Sequence, residues 1–449
     1  MPEPIADLAV VIGAGMGGLA AAKAVAPYFD RVTVLDRDAL PEGPEVRAGT
    51  PQARHVHALL AGGSRALEAL FPDIESDLLK AGAVKGRMGL AVRLEQPGFD
   101  PFPERDLGFD VFFLSRPLLE SLCRRRVREE PNVELRHRQR VTDVALSPGQ
   151  RGALSVRCED DERKPEILSA DPVVDASGRA AQTLSLLEKV GASGLEVTEI
   201  GIDQAYATAV FEIPTNASRS WIGLAHLGTP PDENYGGLIF PIESGRWMAT
   251  IGRVHGGPLP GEIGGFKAFA KAFRSSAFFD AVDGAKQVSE ITRYSMPASV
   301  RRHFDRLERF PARLIPLCDS ICRFNPVFGQ GMSVAAQEAV VLGRLLDSRR
   351  DREDPLDGLA SDYLSRIQAL LEGPWATALG DFVFPQTRGV RPADLEKRLQ
   401  YGAALTRLAA EDPETHRLVM EVRHLIRPPS VLREPELVQR VAALMAAAA

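Results

Sequence analysis

The chain has 449 residues, 45% of them hydrophobic and 25% charged, with four cysteines and a formal net charge of −6. That length exceeds one ordinary hydrophobic core, so roughly two or three interleaved domains are expected. The acidic balance argues against nucleic acid as a partner, four cysteines make no disulfide framework, and no apolar window is long enough for a spanning helix. With the first apolar run about six residues from Met1, no signal peptide is expected and the cytoplasm is the default compartment.

In chain order, the apolar run Leu8-Ala9-Val10-Val11-Ile12 feeds into Gly13-Ala14-Gly15-Met16-Gly17-Gly18. A small-residue helix follows over Leu19 to Val25, then Val32-Thr33-Val34-Leu35 ending in Asp36. Strand, G-x-G-x-x-G turn, helix, strand and acid, in that order, are the signature of a dinucleotide-binding unit. Gly13 allows the tight turn, Gly15 lets backbone N–H groups approach a pyrophosphate, and Gly18 lets the helix pack on the sheet. The helix N-terminus favours the phosphates, and Asp36 suits a ribose hydroxyl pair.

Ala39 to Ala53 is rich in Pro, Gly and charge and reads as a long surface loop. A helix is expected from His57 to Phe71, a strand at Val111 to Leu114, and an amphipathic helix from Arg116 to Arg128. Its Arg124-Arg125-Arg126 run reads as a solvated helix end. Val133 to Leu135, Val141 to Leu146 and Leu154 to Cys158 read as an antiparallel meander, and Val173-Val174-Asp175 as a buried strand end. From about Val190 to Ile291 the pattern becomes that of a larger sheet (Ala205 to Ile213, Gly237 to Ile242, Met248 to Gly252), interrupted by helix over Ile263 to Phe278. Trp221, Tyr235, Phe240 and Trp247 recur within it, either as ordinary core or as the wall of an apolar substrate cavity. Leu314 to Leu317 is another strand end, followed by Cys318-Asp319. A helix begins near Gln330 and runs through Leu346. The chain from Asp351 onward is mostly helical, with breaks at its prolines. There is no internal repeat and no second G-x-G-x-x-G after a strand, so one dinucleotide is held and any reductant is met transiently.

Three strand ends deliver polar groups to one edge: Asp36, the segment Asp175-Ala176-Ser177-Gly178-Arg179, and Asp319. Ligands of open α/β sheets sit at that edge. Gly329-Gln330-Gly331-Met332-Ser333 then opens a helix whose N-terminus can meet an anion or a carbonyl oxygen. Cys318 and Cys322 lack a second ligand pair, so no metal site is expected. His55 and His57, two residues apart, suit neither one helix face nor a metal. They are weak catalytic candidates beside a structural reading, in which His57 helps to cap the following helix. Arg301-Arg302 reads as a solvated charge run.

With these residues in view, the sequence resembles the FAD-dependent monooxygenases of the para-hydroxybenzoate-hydroxylase structural class. It is most similar to the branch of bacterial polyether epoxidases and, more distantly, squalene epoxidase. The likeness is carried by Gly13 to Gly18, Asp36, the run from Thr50 to Leu60, Ser115-Arg116-Pro117-Leu118-Leu119, Asp175 to Arg179, Phe240-Pro241-Ile242, Arg246-Trp247 and Asp319 to Ala336. It implies an α/β fold: a Rossmann-like FAD-binding domain of that type (residues 1–85, 111–189 and 292–350), interleaved with a β-sheet substrate domain (segment 86–110 and residues 190–291), and a helical C-terminal region (351–449).

The resemblance implies that Gly13, Gly15 and Gly18 meet the FAD pyrophosphate and Asp36 the adenosine ribose. Arg54 and Arg116 lie near the phosphates or ribityl chain, Asp319 binds the ribityl or pyrophosphate group, and Gln330, Gly331 and Met332 cradle the isoalloxazine. Gly17 and Arg37 complete the expected cofactor-binding set. The activity it implies is transfer of one O2 oxygen, by epoxidation or hydroxylation, to a lipophilic substrate through a flavin C4a-hydroperoxide. Two departures stand out. Cys318 occupies the usual glycine position before the ribityl-binding aspartate. Asp175 to Arg179 replaces the Asp-Gly motif used by aromatic hydroxylases, which leaves either NAD(P)H or a separate flavin reductase as the electron source. An isoprenoid double-bond reductase shares the scaffold and the segment Leu238-Ile239-Phe240-Pro241, and a non-catalytic flavin or lipid binder is a third reading. The W-x-W-x-I-P signature of flavin halogenases is absent.

Overall fold

The computed structural model describes residues 3–147, 152–178, 182–215 and 219–447. Arg179 lies outside them, as do Ala448 and Ala449.

Two sheets organise the chain. The first is parallel, in spatial order Leu314–Pro316, Val173–Asp175, Ala6–Ile12, Phe29–Leu35 and Val133–Arg136. Its central strand is a continuous apolar run, as a strand covered on both faces requires. Helix Met16–Val25 covers one face and packs against the long helix Gly331–Arg349 and against Arg116–Arg128. On the other face sits an antiparallel meander of Arg140–Leu146, Leu154–Glu159 and Pro165–Ala170. Val133–Arg136 thus belongs to the parallel sheet rather than to the meander: it extends the edge beside Phe29–Leu35, with Val34 opposite Leu135.

The second sheet has seven strands, in order Cys322–Arg323, Thr292–Arg302, Val197–Glu212, Arg246–Arg253, Tyr235–Ile242, Gly223–Leu227 and Val92–Glu95. It extends past residue 291, because Thr292–Arg302 pairs along most of Val197–Glu212. One face buries Ala207, Ala209, Phe211, Ile239, Trp247 and Ile251 against helices Ile263–Lys271 and Ala277–Asp283. The other faces the parallel-sheet domain. Val84–Arg87 and Asp110–Phe113 pair separately beside it. The C-terminal helices Leu359–Ala378, Leu395–Glu411, Pro413–Arg423 and Pro435–Ala447 wrap both domains. No described helix is long and apolar enough to cross a membrane.

Local departures from the sequence reading have physical causes. The helix expected at His57 begins at Ala61, because residues 57–60 stay extended and Leu60 N–H donates to Ser333 Oγ at 3.0 Å. His57 therefore caps nothing. Its Nδ1 pairs with the His55 carbonyl at 2.9 Å. Arg124 is no solvated helix end: it is 2% exposed, near Glu120 and donating to the Gly43 carbonyl.

Candidate functional site

The glycine turn is defined by what a side chain would strike. Gly13 has φ +98°, and a Cβ there would meet the Ala176 carbonyl oxygen at 2.7 Å. A Cβ on Gly18 would lie 1.7 Å from the Gly13 oxygen, so helix and strand touch backbone to backbone. Gly15 differs: only the tip of Arg47 lies within reach, at 3.7 Å. It is the N-cap of helix Met16–Val25, and no side chain caps that end. The free N–H groups of the first turn thus face open approach.

Beside this turn lies a buried charge network. Asp36 Oδ2 accepts from Ala14 N–H at 2.7 Å and Oδ1 from Asp38 N–H at 2.8 Å. Arg47, 8% exposed, reaches Asp36 at 3.1 Å, Asp38 at 3.0 Å and Glu120 at 2.7 Å. Burial alone would lower the Arg47 pKa, but Glu120, Asp36 and Asp38 outweigh it and hold the guanidinium above its ordinary value. The expected surface loop thus carries a buried cation onto the phosphate turn. The sequence reading missed Arg47 because Pro, Gly and charge around it resemble any solvated loop. Arg116 stands nearby, 4.0 Å from Glu120, its pKa lowered by burial against the pull of Glu120 and Asp319. Its buried Nε has no hydrogen-bond partner.

Asp175 does not deliver its carboxylate outward. It is fully buried and accepts from Ser177 N–H and Oγ on one oxygen and from Thr183 N–H and Oγ1 on the other. It locks the strand end to helix Gln182–Lys189.

The third strand end leads to a second cradle. Cys318 adopts φ +61°, the left-handed backbone that favours glycine, and its N–H donates to Glu338 Oε2 at 2.7 Å. Burial pushes the Glu338 carboxyl up to about 8. Arg302, expected on a solvated face, donates to the Asp319 and Ser320 carbonyls at 3.1 Å and braces the turn. Asn325 caps the turn Pro326–Phe328 through its Oδ1 and donates through Nδ2 to Asp381 at 3.1 Å. Burial raises the Asp381 carboxyl to about 6. Helix Gly331–Arg349 then starts with no side-chain cap, and a Cβ on Gly331 would meet nothing within 4 Å. The buried Oε1 of Gln330 is without a partner.

His55 reaches across to the seven-stranded sheet. Its Nδ1 meets Thr208 Oγ1 at 2.7 Å, and Thr208 meets Thr250 at 2.6 Å. Burial, then the charge of Arg54, holds His55 down at about 4; burial and Arg116 hold His57 down at about 3. Both rings are neutral at pH 7.

The structure therefore gathers Gly13, Gly15, Gly17, Gly18, Asp36, Arg116 and Asp319 around one turn, and Gln330, Gly331 and Met332 at a second helix end. Arg37 is not part of either group: it lines an outer depression with Asp38, Arg138 and Asp160. Arg54 is exposed. Among the described residues no cluster of His, Cys, Asp or Glu could hold a metal ion. Two open helix N-termini and a buried guanidinium with an idle N–H are donors, and the idle amide oxygen of Gln330 an acceptor, that suit a long anion with a polar ring at one end. The residues present fit FAD.

No known protein-family profile matches the chain. Among solved structures it is similar over 98% of its length to flavin-dependent brominase Bmp2 (98% of that chain, TM-score 0.66, 13% identity). It is similar over 93% to p-nitrophenol 4-monooxygenase PnpA from Pseudomonas putida DLL-E4 (99% of that chain, TM-score 0.62, 18% identity). These likenesses establish the fold, that of flavin-dependent monooxygenases of the para-hydroxybenzoate-hydroxylase type. Protein Rv3254 of Mycobacterium tuberculosis is 32% identical over 414 residues, 86% of this chain and 84% of its own length, and the chain belongs to the same family as that protein.

Proposed function

We propose that the protein is an FAD-dependent monooxygenase that transfers one oxygen of O2 to a lipophilic small molecule, by epoxidation or hydroxylation. The observation that carries this reading is the pair of open helix N-termini at Gly15 and Gly331, on a fold shared with flavin-dependent oxygenating enzymes. Bound FAD supplies the redox chemistry and the reaction with O2. Arg116 and the N–H groups after Gly15 neutralise the pyrophosphate, and the carboxylate of Asp36 holds Arg47 over the turn. The Gly331 end and Gln330 meet the polar edge of the ring system, where a helix N-terminus favours negative charge on reduction. His55, neutral and anchored to Thr208, offers a hydrogen bond to substrate and excludes water from the sheet face without giving up a proton. The Asp381 carboxyl on this side is held by Asn325 and buried, which favours a neutral alkene or other electron-rich carbon as the acceptor.

The electron donor in this reading is NAD(P)H acting through a separate flavin reductase. The support is Asp175, whose buried carboxylate is consumed by Ser177 and Thr183. The test is purification with FAD followed by single-turnover mixing of the chemically reduced protein with oxygen and a lipophilic alkene. Incorporation of labelled oxygen into product is the expected result. Anaerobic saturation of the alkene without oxygen uptake would instead identify a double-bond reductase, and failure to retain FAD would remove the enzymatic reading.

A further inference from the structure

The face of the seven-stranded sheet that looks onto the parallel-sheet domain carries a short hydrogen-bond chain ending on His55. Tyr206 and Thr208 alternate with the core residues Ala207 and Ala209, and Thr250 lies opposite Thr208 in the strand register. Val56 N–H donates to Thr250 Oγ1 at 3.3 Å, the two threonine hydroxyls share a hydrogen bond of 2.6 Å, and Thr208 Oγ1 lies 2.7 Å from His55 Nδ1. Neither hydroxyl has a further partner among the described residues.

This chain can run in two directions. If Thr208 gave its hydrogen to Thr250, the Thr250 hydrogen would have no acceptor and His55 would donate from Nδ1. If Thr250 gives to Thr208 and Thr208 gives to Nδ1, every hydroxyl hydrogen is placed. A buried hydrogen without an acceptor is costly, so the second direction is favoured. Burial, then Arg54, keeps His55 uncharged at neutral pH, and a neutral imidazole whose Nδ1 accepts carries its hydrogen on Nε2.

That Nε2–H is spent on nothing in the chain. His55 is 5% exposed, and its Nε2 has no hydrogen-bond partner. Tyr206, on the same face beside the Val327 backbone, is also buried, with no acceptor for its hydroxyl. The segment that carries His55 runs on past the second open helix end. A Cβ on Gly329 would lie 2.8 Å from that of Ala58, and Leu60 N–H donates to Ser333 Oγ. Pro326 and Val327, on the turn leading to that helix end, are exposed, so this edge of the domain interface opens to solvent. A buried donor at such an edge is completed by an acceptor from outside the chain.

We propose that His55 is a hydrogen-bond donor of fixed tautomer, that Thr208 and Thr250 are the positioning residues that fix it, and that the ligand facing it bears an acceptor oxygen. Two sources supply such an oxygen: a ring carbonyl of FAD, or a carbonyl group on the lipophilic substrate. A pure hydrocarbon would leave the donor unspent. That the ligand is a substrate of oxygen transfer rests on the monooxygenase reading; the tautomer does not.

The test is nitrogen-15 spectroscopy of histidine-labelled protein, first alone, then with FAD, then with 2-octanone, with octane as its oxygen-free match. The His55 signals are those lost in His55→Gln or, should that variant not fold, those that respond to Thr208→Val. The expected result is hydrogen on Nε2 and none on Nδ1. In Thr208→Val the two nitrogens should move toward a common averaged shift, and Thr208→Ser should keep the wild-type pattern. A downfield shift of the Nε2 hydrogen on adding FAD places the acceptor on the cofactor. The same shift with 2-octanone but not with octane places it on the substrate. Hydrogen on Nδ1, unchanged histidine signals in Thr208→Val, or an Nε2–H that responds to neither FAD nor 2-octanone, or equally to octane, would overturn the proposal. An Nε2–H that engages 2-octanone in a protein that transfers no oxygen would count against the monooxygenase reading alone.

Discussion

Two helices of this protein begin at a glycine with open space before it, and they are built in opposite ways. At Gly15 the opening is held by backbone contact: Gly18 against Gly13, Gly13 against Ala176, with buried ion pairs around Arg47. At Gly331 it is held by side chains from far along the chain, Asn325 on Asp381 and Ser333 on Leu60. The first end is rigid because its atoms cannot move apart or together without breaking the sheet. The second is set by polar contacts that a change of protonation can alter.

The largest effect that separates the two ends comes from adding one methyl group to each. Gly18→Ala drives a Cβ into the Gly13 oxygen and should cost about 3 kcal/mol or more, since strand and helix must separate. Gly331→Ala meets nothing within 4 Å, so the flavin-free protein should stay within roughly 0.5 kcal/mol of wild type. The same methyl group stands where the ring edge would approach, and FAD retention should fall. Thermal melts with and without FAD check both. A marked loss of flavin-free stability in Gly331→Ala would mean that its end is packed like the other.

The second contrast is in pH. Asp381 holds its proton more tightly folded than unfolded, moving from an ordinary 3.8 to about 6. Its contribution is full below pH ~4 and is lost as pH rises through about 6, by about 3 kcal/mol for a shift of that size. Asp381→Asn keeps an acceptor for Asn325 and removes the titration. Relative to wild type, the variant should therefore gain stability between pH 4 and pH 7. Burial raises Glu338 to about 8, and the slope it adds up to that pH should persist in the variant. Denaturant melts at these pH values give the comparison, and a constant difference between the two proteins would show that Asp381 does not titrate there.

The contrast also explains what could be read in advance. The first turn was legible because its determinants lie within about thirty residues and use glycine, whose steric meaning is local. The run Gly237 to Ile242 was likewise legible as a strand of the larger sheet, and its alternate burial emerged only from the structure. Arg47, Arg302 and Asp381 were not legible, since nothing in their neighbours distinguishes a buried charge from a solvated one. Their partners, Glu120, the Asp319 carbonyl and Asn325, lie 73, 17 and 56 residues away. Asp175 misled for the same reason: strand-end position predicts an outward carboxylate, and the residues that capture it come afterwards.

The smallest effect tests a coupling between the two ends. Cys318 holds the left-handed backbone at some cost, and its Sγ lies 2.0 Å from where a Cβ on Gly17 would be. The Cys318 thiol therefore leaves no room for a side chain at Gly17. Cys318→Gly relieves the backbone but leaves a void over Gly17, and the two should leave a net gain of about 1 kcal/mol at most. Gly17→Ala alone should destabilise by overpacking, whereas the same change in Cys318→Gly should be nearly neutral. The interaction energy from a double-mutant cycle should then be of the order of 1–3 kcal/mol. Additive effects would show that the glycine serves the phosphate turn directly. A strong coupling would mean that Gly17 and Cys318 share one space where the first helix meets the third strand end.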